Sequence, residues 1–312
     1  MCVCVYVYNN NMIQQSFLMI IGQSYNFHIS RFLHKKNSLS YCLDLLRKRD
    51  YENYLCTILL PKEIRRTAIA IRAFNIEVAI LQDQISDLKI GKMRFKFWEN
   101  SLAEIYENKV PKHPVLIELH SAVKNKKLNK LFLKRLILAR ENFMLKSSFE
   151  TMEDLEKYAE DSVSPIYYLL LEAMGLKNVN ADHAVSHLGK CHGIVNMIRS
   201  LPYSKKWGHI SLPQEILLKY NVSQEKIIRQ SCDKNICDSI FEVASRANSH
   251  LVKATAIRNN LDTKIKSIFL SAVPLNSYLE KLQRSNFNVF DEKLQKRDNL
   301  LPIKLLWNKL MN

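Results

Sequence analysis

The chain has 312 residues, 46 Lys and Arg against 30 Asp and Glu for a formal net charge of +16, and only 6 Gly and 8 Pro. That length buries a large core, and so few turn formers exclude an all-β protein in favour of one large helical domain. The charge favours an anionic partner without choosing between nucleic acid, diphosphate and an acidic membrane surface. Seven cysteines (Cys2, Cys4, Cys42, Cys56, Cys191, Cys232, Cys237) with no Cys-x-x-Cys pair read as reduced thiols rather than a disulfide framework. Cys56 and Cys191 read as small core residues.

Residues 1–43 contain no Asp or Glu but carry Arg31, Lys35 and Lys36 among many Ser and Asn. This is the composition of an organelle import sequence, and residues 1–37 are expected to be a targeting segment. A misassigned start codon is the plainer alternative. The run Phe17–Ile21 is too short to span a bilayer, and no later stretch reaches the roughly 20 apolar residues required.

From Ser38 the apolar spacing is helical. Tyr41, Leu43, Leu45 and Leu46 open one helix, and Tyr51, Tyr54, Leu55, Ile58 and Leu59 extend its face beyond Asp50. Pro61 starts a second helix, PKEIRRTAIAIRAFNIEVAILQD, running to Asp83. Gly91 is expected to break the next segment before Phe95, Trp98, Leu102, Ile105 and Tyr106, and Pro111 and Pro114 bracket a linker. Leu131–Leu145 forms another helix, and Thr151 with Asp154 forms a capping box for a long one through Tyr158 to Met174, stopped by Gly175. Tyr158, Tyr167 and Tyr168 are expected in the core. A helix from Ala181 to about Arg199 follows, then an irregular stretch to Pro213. Ser223 caps the next helix, segments near 235–260 and 263–282 complete the body, and Pro274 should kink or restart the last. The domain is expected to span 38–292, with 293–312 an amphipathic tail bearing Trp307.

The basic run KNKKLNKLFLKR, Lys124–Arg135, lacks the interleaved aromatic residues that stack bases. It reads as solvated helix faces, and nucleic acid is not an expected partner. His183, His187 and Cys191 at i, i+4, i+8 share one helix face. No fourth ligand is in register, so a polar packing seam is preferred to a soft metal site.

RRTAIAIRAFN followed by an acid, with NMIR and then GHISLP further on, resembles the squalene/phytoene synthase family. The resemblance covers about residues 40–290. It implies an all-α, isoprenoid-synthase-like domain with a central cavity, in which two opposed helices each carry carboxylates one turn apart. Such pairs hold Mg²⁺, which binds the substrate diphosphate and stabilises it as it leaves.

Matched to that pattern, the two leading aspartates of the first cluster fall on Ala79 and Ile80, leaving Asp83. The second pair falls on Ser200 and Ser204. Between Asp182 and Glu215 there is no acid, while Lys190, Arg199, Lys205 and Lys206 lie within the interval. A neutral hydroxyl does not replace a carboxylate as an Mg²⁺ anchor, and the neighbouring cations repel the metal. No cofactor is therefore expected. Arg65, Arg66 and Arg199 remain as possible residual diphosphate contacts, Arg being suited to phosphate. Asp83 and Asp87, at i, i+4, keep open the alternative of a divergent prenyl-diphosphate transferase.

RAFNIEVA, YAEDSVSPIYYLLLEAMG and DHAVSHLGKCHGIVNMIRSLPY resemble a branch of the family that lacks these aspartates and serves assembly of mitochondrial complex I. That resemblance implies a non-catalytic protein, imported into mitochondria and peripheral to the matrix side of the inner membrane. Its implied partners are complex I subunits or other assembly factors, together with anionic lipid.

Overall fold

The computed structural model describes residues 37–83, 87–231 and 233–311. Among them there are helices and loops, with one isolated parallel bridge between Phe149 and Pro213. The expected targeting segment lies outside the described residues, apart from Asn37.

In chain order the longer elements are α1 Ser38–Arg49, α2 Tyr51–Ile58, α3 Lys62–Asp83, α4 Leu88–Tyr106, α5 Pro114–Lys126 and α6 Lys130–Lys146. They continue as α7 Met152–Ser162, α8 Ser164–Ala173, α9 Val179–Ser200, α10 Lys234–Asn259, α11 Ala272–Arg284 and α12 Leu301–Leu310. Shorter turns connect α9 to α10 and α10 to α11. The capping box of Thr151 and Asp154 forms at α7, Gly175 (φ +72°) follows α8, and Ser223 accepts from the Lys226 amide.

Three boundaries depart from the apolar periodicity. Asp50, at φ −145° and ψ 63°, separates α1 from α2, where the spacing reads as continuous. Gly91 lies buried in the first turn of α4 instead of breaking it, because Asp87 caps that helix by accepting from the amides of Lys89 and Ile90. A helical glycine costs only about 1 kcal/mol against alanine, and α4 then buries Phe95, Trp98, Leu102 and Ile105. Val163 and Pro165 split the expected 152–174 helix into α7 and α8, with Pro165 in the first turn, where its missing N–H does no harm.

α9 is the spine of the second half. It packs on α10, α7 and α8, while α8 also packs on α3. Gly189 and Gly193 lie one turn apart on it, and small residues face them. A Cβ at Gly189 would sit 2.6 Å from the Ser164 Cα, and one at Gly193 2.6 Å from the Ala159 Cα. The helices therefore meet at backbone distance. A smaller cluster of Leu55, Cys56, Leu59, Leu270, Leu301 and Leu305 seats the inner face of α12 on α2. No described helix is long and apolar enough to cross a membrane.

Gly193→Ala should destabilise the fold by about 1 to 3 kcal/mol, because the obstructing atoms are backbone and cannot rotate away. Gly175→Ala, in open space but at positive φ, should cost nearer 1 kcal/mol. Thermal melts followed by circular dichroism check the order, and an unchanged melt for Gly193→Ala would contradict the close approach.

Candidate functional site

The positions that would carry the two carboxylate clusters are on α3 and at the end of α9. On α3, Ala79 is buried and Ile80 packs partly buried against the core. The Asp83 side chain lies outside what the structure describes. Asp87 is exposed and spends its carboxylate on the start of α4, with Oδ1 accepting from the Lys89 amide at 2.6 Å. At the end of α9, Ser200 is fully buried. Its hydroxyl donates to the Met197 carbonyl at 2.6 Å and also meets the Ser211 hydroxyl. Ser204 is 1% exposed, and its Oγ has no partner among the described residues.

The loop beyond them is pinned to the α6–α7 connection. The Gln214 amide donates to Phe149 O, and Glu215 accepts from the Met152 amide at 2.7 Å. Both serines are thus buried, beside a basic helix end. Mg²⁺ needs several oxygen donors, usually including carboxylates. Among the described residues no group of three or more His, Cys, Asp or Glu is placed to hold a metal.

The three arginines put forward as diphosphate contacts all have partners within the protein. Arg65 donates to the Leu60 carbonyl at 2.9 Å. Arg66 makes a two-pronged contact with Glu118, at 2.8 and 3.2 Å. Burial by itself would raise the Glu118 pKa, but hydrogen bonds from Arg66 and Ser38 outweigh it and hold the carboxyl below its usual range. Arg199 pairs with Glu52 at 2.7 Å and lies 4.3 Å over the Tyr278 ring. The cleft beside it, against Ser277 and Lys281, has a volume of about 10 Å³, room for about one water and far too little for a prenyl chain.

In the middle of the bundle Ile71, Phe74 and Ile76 of α3 and Tyr167 of α8 retain no accessible surface. A buried polar network joins them. Tyr167 Oη lies 2.7 Å from His192 Nδ1, and His192 Nε2 lies 3.5 Å from Asn53 Nδ2. Asn53 also donates to the Asp50 carboxylate at 2.9 Å and accepts from Ser271, which in turn accepts from Arg72 at 3.3 Å. Because Asn53 Nδ2 is a donor, the fitting tautomer of His192 carries its proton on Nδ1. Burial, and then the nearby Arg72 and Arg199, push its pKa down to about 3. Burial raises Asp50 despite Arg72. The network stitches together α2, α3, α8, α9 and the turn before α11.

Sequence reasoning did not single out Arg72, His192 or Asn53. One signal was available for Arg72, a charge set inside the apolar run Ala68–Ala79.

Of the His183, His187 and Cys191 face, His183 is exposed while His187 and Cys191 pack against neighbours. His187 Nδ1 lies 2.8 Å from His250 Nδ1, and His250 Nε2 lies 3.2 Å from Glu156. Burial, followed by repulsion from His250 and His183, lowers the His187 pKa to about 4. Cys191 points into the core, where burial pushes its thiol up to about 12.

A sequence profile of the squalene/phytoene synthases matches residues 46–300. The chain belongs to the squalene/phytoene synthase family. It is 45% identical over 280 residues to a Drosophila melanogaster protein named as a homolog of NADH dehydrogenase (ubiquinone) complex I, assembly factor 6, spanning 87% of this chain and 83% of the relative. It is 42% identical over 272 residues to the Homo sapiens protein named assembly factor 6, spanning 86% and 82%. Among solved structures, a dehydrosqualene synthase in complex with ligand superposes with a TM-score of 0.77 at 18% identity, over 88% of this chain and 95% of that one. At that identity the match shows the fold alone.

Two outcomes follow from this geometry. Ser200→Asp should destabilise the protein by about 3 kcal/mol or more, since it places an unpaired charge at a buried position; urea unfolding measures this, and wild-type stability would contradict the burial of that site. Stability should also fall on acidification. The unfolded chain takes up protons below about pH 6.5, while native His192 stays neutral to about pH 3. Its contribution is therefore complete above about pH 6.5 and is lost as the pH falls, at up to about 1.4 kcal/mol per unit. The partly exposed His187 adds a smaller loss in the same sense. His192→Gln should flatten the profile, and a wild-type profile already flat between about pH 6.5 and 4 would refute the assignment.

Proposed function

We propose that this protein is a non-catalytic assembly factor for respiratory-chain complex I (NADH:ubiquinone oxidoreductase), a pseudoenzyme on a prenyl synthase scaffold whose metal-binding aspartates have been replaced. The observation that carries the proposal is identity of 42–45% over more than four-fifths of both chains with proteins named as complex I assembly factor 6. The chemistry of the site supports it. Ser200 and Ser204 stand buried where carboxylates would be needed, Asp87 is occupied as a helix cap, and Arg65, Arg66 and Arg199 are engaged internally.

The working location is the mitochondrion, on the matrix side of the inner membrane. Attachment there is peripheral, through basic surface on anionic lipid rather than through a spanning helix, and the partners are complex I subunits or other assembly factors. A formal net charge of +16 for the full sequence suits that setting, where each basic residue near an anionic surface contributes about 1 kcal/mol and salt weakens the attachment.

Cells deprived of the protein should lose assembled complex I on native gels while retaining the other respiratory complexes. Re-expression of wild type and of Asp83→Ala should restore it equally. Normal complex I in the depleted cells would overturn the proposal, and rescue that requires Asp83 would revive the transferase alternative.

A further inference from the structure

α4 presents two apolar faces. One is the core face of Gly91, Phe95, Trp98, Leu102 and Ile105. The other looks outward: Ile90, Met93 and Phe97, at i, i+3 and i+7, form one stripe and are 47%, 73% and 53% exposed. Leu88, 54% exposed, opens the same turn. On a helical projection Lys89, Lys92 and Lys96 flank this stripe on one side and Arg94 on the other, all exposed, although Lys96 is paired with Glu99 at 2.7 Å. No acid interrupts the helix from Leu88 to Trp98. An ordinary outward helix face is polar. This one alternates long apolar side chains with cations and is anchored at its root by the fixed Phe95 and Trp98.

We infer that this face of α4 is the surface by which the protein docks on anionic phospholipid, with Ile90, Met93 and Phe97 entering the acyl boundary and Lys89, Lys92 and Arg94 reaching the phosphates. The inference rests on the peripheral-membrane part of the proposed function and supplies its surface. A helix lying in the plane of an interface needs an apolar stripe with cations on both flanks, because the long lysine and arginine stems reach back to headgroup level on either side. The acid at the helix start, Asp87, is exposed, but its carboxylate is engaged by the Lys89 amide as the cap.

α12 offers the other large apolar exposure, Ile303 (63%), Trp307 (66%) and Leu310 (81%). Its charge is poorer, for Lys304 is held by Asp298 at 2.8 Å and Lys309 is the other cation of the helix. The balance of apolar and cationic groups therefore favours α4 for lipid.

The test uses the full chain in flotation with phosphatidylcholine vesicles, with and without cardiolipin. Wild type should partition onto the cardiolipin vesicles and release at high salt. Lys89→Gln with Lys92→Gln should lower partitioning about thirtyfold, at about 1 kcal/mol for each basic residue. Met93→Ser with Phe97→Ser should lower it as well, and Ile303→Ser with Trp307→Ser should leave it unchanged. All of these positions are exposed, and thermal melts verify that the variants fold. As a second readout, the tryptophan introduced by Phe97→Trp should be quenched by brominated acyl chains.

Failure of wild type to bind cardiolipin vesicles would overturn peripheral attachment itself. Undiminished binding by both α4 variants, or loss only in the α12 variant, would overturn the assignment to α4 and leave membrane attachment standing. Normal vesicle binding by α4 variants that no longer support complex I assembly would show that the face takes a protein.

Discussion

The architecture depends on how closely α9 can approach its neighbours. Gly189 and Gly193 remove the side chains that would hold α7 and α8 away, so Ser164 and Ala159 press against the α9 backbone. That contact sets the position of the residues that follow on α9: His192 in the middle of the bundle, Arg199 near the surface and Ser200 at the buried end. An added methyl group at this seam would displace all three together, because a close-packed interior transmits strain rather than absorbing it.

The proposed function turns on how the interior built on that seam compares with what a prenyl-diphosphate site requires. Ionisation-dependent chemistry needs opposed carboxylates, space for metal and diphosphate, and cations left over for the leaving group. Here the cations are satisfied within the protein, Arg66 by Glu118 and Arg199 by Glu52. Phe74 and Tyr167 are wholly buried, and a hydrogen-bonded chain runs beside them through His192 and Asn53. What is gained is a scaffold in which a buried hydrogen-bonded network joins segments distant in sequence. Membership of the synthase family explains the topology, and the changed interior is consistent with a role exercised through surfaces.

Much of the fold was legible from residue spacing. The 61–83 and 181–199 helices, the capping box at Thr151 and the stop at Gly175 all rest on local rules that tertiary packing had no reason to override. The misplaced boundaries share one cause. Apolar periodicity runs unbroken through Asp50 and from Tyr158 to Met174, and it carries no sign of the backbone turns at Asp50 and Val163. At Gly91 the residue type suggested a break, but the cap that decides where α4 begins is Asp87, four residues earlier. Of the candidate site, the neutral residues at 79, 80, 200 and 204 could be read directly. Their burial could not, because the contact of Ser200 with Ser211 and the pinning of residues 213–215 to the α6–α7 connection depend on the tertiary arrangement. The Arg72 and His192 network was invisible for the same reason, since its members come from five separate segments.

The proposed function rests on the scaffold holding no working metal-diphosphate site. Calorimetric titration of the purified full chain with Mg²⁺ in the presence of geranylgeranyl or farnesyl diphosphate, read together with diphosphate release, tests it most directly. The account predicts no Mg²⁺-dependent binding of the prenyl diphosphate and no release above the protein-free control. Saturable Mg²⁺-dependent binding with turnover by the unmodified protein would contradict it, because the buried, carboxylate-free end of α9 is the physical basis for denying the chain an active site.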